Sequence, residues 1–591
     1  MSKNEEIGKA FDFGLFKRVF AHTKPYRSIF WVVALVAILS AAFAILTPIL
    51  VKYIIDEPLT NRDSEQLLLV VLIMLGVLVA QVVSQLLFNY YANLLGESVI
   101  KDIRVQLFKR IMGFKMTYFD NSSIGVLVTR AVADMQRIGE IFSQGFFVIV
   151  ADVLKMLCAA GVMLYMNWRM ALIVFAILPV ILVATRLFQQ AMKVAFIDVR
   201  AQVANLNSFV QERIAGMKIV QLFNREQIEK EKFRKINEKH QNAWLRTVWY
   251  NSIFFPIAEI SNSVGVGLVV YFGIIQNIDS ASLDSNKGSI IAFFFLMDLL
   301  FRPLRQIADK FNTLQMGMVA ANRVFGILDT DSKIPDTGQL ERKDVKGDIT
   351  FTDVRFGYLE DEEVLHGISF KVDAGETVAI VGATGAGKST IINLLNRFYE
   401  INSGTIMIDG HDIKEYTLRS LRSHIAIVLQ DVFLFADSIA NNISLRDKSV
   451  SLEQIESAAK QIGVHEFISS LPEGYLYNVK ERGTMLSSGQ RQLIAFLRAY
   501  VSNPSILILD EATSSVDTYS EQLIQQATDK ITEGRTSIII AHRLATIKKA
   551  DKIIVMDAGN IVEIGNHQEL LKKGGYYSDL YEAQFMAEEV V

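Results

Sequence analysis

The sequence predicts two parts of different class: an α-helical membrane domain of six spans with long helical extensions, then an α/β domain of phosphate-loop type. Three observations predict it. Hydrophobic residues fill 51% of 591 positions and mean hydropathy is +0.28, too apolar for an ordinary soluble protein. Apolar runs long enough to cross a bilayer are confined to residues before about 310. Past residue 326, short apolar strands alternate with helices, and one strand leads into Gly382-Ala-Thr-Gly-Ala-Gly-Lys-Ser389.

Composition narrows the function further. A net charge of −3 gives no reason to expect nucleic acid as partner. The single cysteine, Cys158, rules out a disulfide framework or a cysteine-rich metal site within one chain. Residues 1–27 carry charges of both signs and the first apolar run is too long for a signal core, so no cleavable signal peptide is expected. No lipidation motif is visible.

In chain order, residues 11–22 interleave aromatic and basic side chains and predict a short amphipathic elbow helix at the membrane surface. The six spans are expected at about 28–51, 66–90, 138–166, 169–188, 249–278 and 288–310. Four intramembrane charges stand out: Asp152, Lys155, Glu259 and Asp298. Asp152 and Lys155, three apart on one helix face, are expected to neutralise each other. Glu259 and Asp298 are candidates for a substrate cavity that would attract a cationic amphiphile.

The short connections around Asp56, Glu57, Arg62 and Asp63, and around Asp279 and Asp284, are mixed or acidic. The long ones hold Lys101, Arg104, Lys109, Arg110, Lys115 and Arg130, then Arg213, Lys218, Arg225, Lys230 and Lys232. The positive-inside rule puts the long connections and both termini in the cytoplasm of a protein of the cytoplasmic membrane. The long connections have helical periodicity, with breaks at Phe119–Gly125 and Ala215–Met217. The expected organisation is a membrane domain over 1–325, a linker over 326–346 and an α/β domain over 347–591.

The chemistry is concentrated in that last part. Val378–Val381 reads as a buried strand and Thr390–Leu395 as a helix, the context a phosphate loop needs. Gly382, Ala383, Thr384, Gly385, Ala386 and Gly387 would turn successive N–H groups toward phosphate oxygens, with a helix N-terminus behind them. Lys388 would meet the β- and γ-phosphates, and the Ser389 hydroxyl would ligate Mg²⁺. Ser505–Asp510 is a buried strand ending in two acids: Asp510 would hold Mg²⁺ through water, and Glu511 would polarise the attacking water. Gln430 is a candidate neutral oxygen ligand of Mg²⁺. His542 follows the strand Ser537–Ile540 and would face a γ-phosphate. Tyr358 is a candidate stacking face for adenine. Leu486-Ser-Ser-Gly-Gln490 precedes a helix, and Ser487 with the N–H groups near Gly489 would form a second anion site, serving another copy's nucleotide.

This set resembles the nucleotide-binding domain of ATP-binding cassette (ABC) transporters, an α/β P-loop NTPase cassette. Tyr358 matches the A-loop, residues 382–389 with Thr390 the Walker A segment, and Gln430 the Q-loop. Ser487, Ser488, Gly489 and Gln490 match the signature, Asp510 and Glu511 the end of Walker B, Asp517 the D-loop, and His542 the switch histidine. With six preceding spans, the resemblance covers essentially the whole chain, as a half-transporter of bacterial exporter type. Ser488 stands where the family's usual signature has glycine; a serine would crowd the phosphate or require an altered backbone, and function is expected to persist because Ser487 and Gly489 remain. The resemblance implies that two halves sandwich two ATP with Mg²⁺, that segments near 115–123 and 213–222 are coupling helices, and that Lys480–Gly483 is the exporter-type contact loop.

The function expected is ATP-driven export of lipophilic substrates, drugs or lipids, by a dimer of half-transporters among membrane lipids. A homodimer is favoured; the complete catalytic set suits it and equally suits the active half of a heterodimer whose partner is degenerate. The alternatives are the active half of a heterodimer, an importer-like variant of siderophore type, and an ATP-gated regulator or channel. The intact Glu511, Gln430 and His542 argue against the last. A peptide exporter with a built-in protease is disfavoured by the short segment before the first span.

Overall fold

A computed structural model describes residues 12–278, 287–359, 362–510, 518–541 and 543–585. The chain divides into two compact units. One runs up to Met112 and resumes over Ile124–Thr330; the other joins Gly113–Ser123 to Asp331 and the residues after it.

The first unit is helical. α1 (Phe13–Ala21) is capped by Asp12, whose carboxylate accepts from Gly14 N and Leu15 N. Arg18 of α1 makes a bidentate ion pair with Asp329, both contacts 2.6 Å, and lies over the Phe325 ring. α2 (Arg27–Asp56) and α3 (Ser64–Met112) follow. After α4 (Met116–Asp120), a helix with two π-helical turns is built from α5 (Ile124–Thr129), Arg130–Asp134, α6 (Met135–Glu140), Ile141–Phe146 and α7 (Phe147–Met166). Asn167 ends it in extended conformation and caps α8 (Trp168–Ala215) through Arg169 N and Met170 N. α9 (Met217–Leu222), α10 (Glu226–Ile278) and α11 (Lys287–Asp329) complete the unit.

At about 1.5 Å per residue, α3, α8 and α10 are each more than twice the ~30 Å of a bilayer's hydrocarbon core, so much of each must project beyond it. Five helices are long and apolar enough to cross a membrane by length and composition: Lys24–Asp56, Ser64–Met112, Ile124–Met166, Trp168–Ala215 and Glu226–Ile274. α11 covers the sixth expected span but, among the described residues, lacks such an apolar window; Asp298, Arg302, Asp309 and Lys310 interrupt it. Outward-facing Leu68, Leu72, Val82 and Leu86 of α3 are exposed in the single chain, the surface lipid or a partner would cover.

The second unit carries two sheets. β1 (Ile349–Phe356), β2 (Leu365–Val372), β4 (Ser403–Ile408) and β5 (His411–Asp412) form an antiparallel sheet in the order β2-β1-β4-β5. Phe351 and Phe370 face each other in register with stacked rings 4.5 Å apart. The other sheet contains β3 (Thr377–Gly382), β6 (Ile425–Val428), β7 (Ile506–Asp510), β8 (Thr536–Ile540), β9 (Lys552–Asp557) and β10 (Asn560–Gly565). Its order is β10-β9-β3-β8-β7-β6, parallel except for the edge strand β10. One face packs on the helix Ser488–Val501 and its neighbours, the other on the helix Lys388–Leu395 and the antiparallel sheet, so β7 and β8 are nearly continuous runs of Ile and Leu.

Candidate nucleotide site

The phosphate loop leaves the carboxyl end of β3 and enters α12 (Lys388–Leu395), with Gly387 as cap. Gly382 has φ +152, and a Cβ there would lie 2.1 Å from the carbonyl oxygen of Met556, its register partner on β9. A side chain is therefore excluded where the loop begins. Ala383, Thr384 and Gly385 are exposed, leaving an open cradle of backbone groups. Lys388 is buried at the loop's base, and its ammonium donates to the carbonyls of Gly382 (2.8 Å) and Ala383 (2.9 Å). Burial pushes this ammonium below its ordinary value, while the negative charge of Asp510 opposes the shift. A phosphate would offer it a stronger partner than these neutral carbonyls.

The expected motif residues follow neighbouring parallel strands. β3, β8, β7 and β6 are adjacent in that order, and at their carboxyl ends come the phosphate loop, Ala541, Asp510 and Leu429-Gln430. Asp510 lies at the register of Ile540, and Gln430 is exposed. In open α/β sheets this edge is where ligands bind. Glu511, Asp517 and His542 lie outside the described residues.

Tyr358 reaches the same place from the antiparallel sheet. Its hydroxyl is 3.3 Å from Thr390 Oγ1 and accepts from Asn393 Nδ2 at 3.2 Å, so both contacts are to α12. Its ring stands edge-on to Phe356 (4.9 Å) and Tyr399 (5.1 Å), while the side chain keeps 40% exposure. A half-exposed ring fixed on several sides is suited to stacking. Asn393, Tyr399 and their contacts were not signalled by any sequence motif.

Ser487 and Gln490 form a capping box on the helix Ser488–Val501: Ser487 Oγ accepts from Gln490 N, and Gln490 Oε1 from Ser487 N. The Ser487 hydroxyl thus serves its own helix and keeps one hydrogen to donate. Ser488 is the first residue of that helix and has no left-handed φ, so the altered backbone expected of a serine here is not needed. Both serines are exposed, whereas Gly489 is buried. In the segment Lys480–Gly483 before them, Lys480, Arg482 and Gly483 all have positive φ.

In the helical unit, Asp152 on α7 has two cationic partners. The closer is Lys310 of α11; Lys155, its expected partner, is 3.8 Å away. Lys310 escaped sequence reasoning because it sits at the polar end of the expected sixth span. Glu259 and Asp298 are on α10 and α11 and are both exposed in the single chain, so neither is sealed inside a cavity of one unit.

Residues 30–304 match the family description "ABC transporter transmembrane region", and residues 365–514 match "ABC transporter". The chain is 36% identical to YknV of Bacillus subtilis (strain 168), an uncharacterized ABC transporter ATP-binding protein, over 99% of this chain and 97% of the relative. It is 36% identical to an ATP-dependent lipid A-core flippase of Yersinia pestis, over 96% of this chain and 98% of that one. The lipid A-core flippase of Syntrophus aciditrophicus is 33% identical, with 98% and 95% covered.

Proposed function

Because the chain belongs to the ABC transporter family, with the transmembrane region and the ATP-binding cassette in one polypeptide, we propose that it is one half of a homodimeric exporter that moves lipid across the cytoplasmic membrane. It is an integral membrane protein and an ATPase coupled to transport. The lipid reading is supported by full-length similarity to relatives named lipid A-core flippases. The positive-inside pattern of the connections supports cytoplasmic termini.

The observation that carries the site is the gathering of the phosphate loop, Gln430 and Asp510 at the carboxyl ends of adjacent parallel strands. The loop's N–H groups and Lys388 bind the phosphates, and Tyr358 stacks on the adenine. Ser389, Gln430 and Asp510 offer a hydroxyl, an amide oxygen and a carboxylate, hard donors that suit Mg²⁺. They would hold the ion, which supplies charge neutralisation at the phosphates. Glu511 polarises the attacking water and His542 orients the γ-phosphate. Ser487, Ser488, Gly489 and Gln490 serve the nucleotide of the second half, and Asp517 is read as the D-loop residue from the sequence motif. Each ATP then belongs to two chains, and closing the pair is favoured by ATP and released by hydrolysis.

The test is reconstitution of the full chain in proteoliposomes with a fluorescent phospholipid. ATP-dependent lipid movement is expected from the wild type and none above background from Glu511→Gln, with ATP binding retained. Equal movement in both would end the assignment of Glu511. Turnover that depends on Glu511 without movement of any lipid offered would end the lipid reading.

A further inference from the structure

Asn393 holds no motif position, yet its place on α12 is unusual. The helix Lys388–Leu395 begins at the phosphate loop, and Ile391, Ile392, Leu394 and Leu395 are its buried apolar residues. Thr390 and Asn393 are three apart and so lie on one side of the helix. Asparagine is a poor helix former, because its amide competes for backbone groups, so one inside a helix of 8 residues calls for a reason. The structure supplies one. Asn393 Nδ2 donates to the Tyr358 hydroxyl oxygen at 3.2 Å, and among the described residues the side chain makes no other hydrogen bond.

This bond sets a direction. An amide nitrogen only donates, so the Tyr358 oxygen accepts from Asn393 and its one hydrogen is left for Thr390 Oγ1, 3.3 Å away. The tip of the phenol is thus held between consecutive polar positions of the helix that carries Lys388. The chain around Tyr358 does less. The residue lies beyond the end of β1, outside the ladder, and its ring stands edge-on to Phe356 and Tyr399. Such edge contacts limit the tilt of the ring, whereas the hydroxyl bonds fix where its far end lies.

We propose that Asn393 is a positioning residue for the base: it holds the Tyr358 ring at a fixed place relative to the phosphate loop, and so tightens binding of a nucleoside triphosphate over that of bare triphosphate. The inference rests on the reading of Tyr358 as the base's stacking face. Ordering a side chain on binding costs affinity, and a ring ordered beforehand spares the ligand that cost. The gain falls on the base alone, because Lys388 and the N–H groups of the loop meet the phosphates whatever the attitude of Tyr358.

The experiment titrates the full chain in nanodiscs with ATP and with inorganic tripolyphosphate, in EDTA so that no turnover occurs. The quantity read is the ratio of the two dissociation constants. Asn393→Leu keeps the bulk of the side chain and removes the donor. Its Kd for ATP is expected to rise about threefold, with that for tripolyphosphate unchanged. Tyr358→Phe removes the same bond from the ring side, outside α12, and is expected to shift the ratio in the same direction; it stays decisive should Asn393→Leu fold poorly. Adding Asn393→Leu to Tyr358→Phe is expected to change the ratio no further, since the bond is already gone, and losses that multiply would refute the shared bond. A merely structural asparagine would weaken both ligands equally when replaced, because α12 also bears the phosphate loop. That result, or a ratio equal to wild type in both single variants, overturns the positioning role. Tyr358→Ala separates the premise: ATP affinity equal to wild type there would remove the stacking reading itself, whereas weakened ATP binding there beside an unaffected Asn393→Leu would end only the role of Asn393.

Discussion

Gly382→Ala tests the loop's geometry most directly. The new Cβ would lie 2.1 Å from the Met556 carbonyl oxygen, a backbone atom of a paired strand, and 3.4 Å from the Ala386 side chain. Ordinary carbon–oxygen approaches are about 3.3–3.6 Å, so β3 and β9 must part by about 1.2 Å at this end. Such overpacking costs about 1–3 kcal/mol, and losing a strand hydrogen bond adds about 1 kcal/mol. For a domain of this size each kcal/mol lowers Tm by about 2–4 °C, so the cassette transition is expected to fall by about 5–10 °C. Nucleotide binding should weaken by about tenfold or more, because the strand that parts is the one that launches the phosphate loop. Gly385→Ala is the control: its φ is +87, but a Cβ there meets nothing within 4 Å. It pays only backbone strain of about 1–2 kcal/mol. Thermal unfolding of the full chain and titration with a fluorescent ATP analogue give both numbers. If Gly382→Ala proves no more harmful than Gly385→Ala, the close approach to Met556 does not govern this loop and the reasoning fails.

Two further outcomes follow from the charges. Asp152→Ala strands Lys310 and Lys155 beside each other, and is expected to destabilise the membrane unit by about 3 kcal/mol. Adding Lys310→Ala should restore more than half of that loss; a double variant as unstable as the sum of the single ones would show no coupling. Asp437 accepts from Asn441 Nδ2, from Ser438 N and from Arg446, which hold its pKa at about 2, below the ordinary carboxylate value. A depressed carboxylate stabilises the fold above its unfolded pKa near 4 and loses that contribution as pH falls through about 2. Exchange protection of residues 438–446 should therefore drop between pH 4 and 2 in the wild type and stay flat in Asp437→Asn; the same slope in both would refute the assignment.

Much of the nucleotide site was legible because its parts are local. A phosphate loop is one strand, one turn and one helix contiguous in sequence, and its glycines mark where the backbone meets something. Asp510 and Gln430 were legible for a related reason: Asp510 ends a short apolar strand, Gln430 follows another by two residues, and parallel sheets put such ends on one edge. At Ser488 the structure decides one of the two expected effects: the position is an ordinary first turn of a helix, so no altered backbone is needed there. The sixth expected span shows a different limit: α11 covers it, but among the described residues it is not one of the helices apolar enough to cross a membrane, because Asp298 and Arg302 fall inside the run.

By itself, the sequence determined the two fold classes, the long helices and the strand–turn–helix form of the candidate phosphate loop, because periodicity and turn chemistry act over a few residues. Tertiary structure decided the pairings between residues distant in sequence. Asp152 found Lys310 on another helix in addition to its near neighbour Lys155, and Tyr399 met Asp120 across 279 positions. Such pairs depend on which faces pack together, and packing is a property of the assembled unit that no short window of sequence contains.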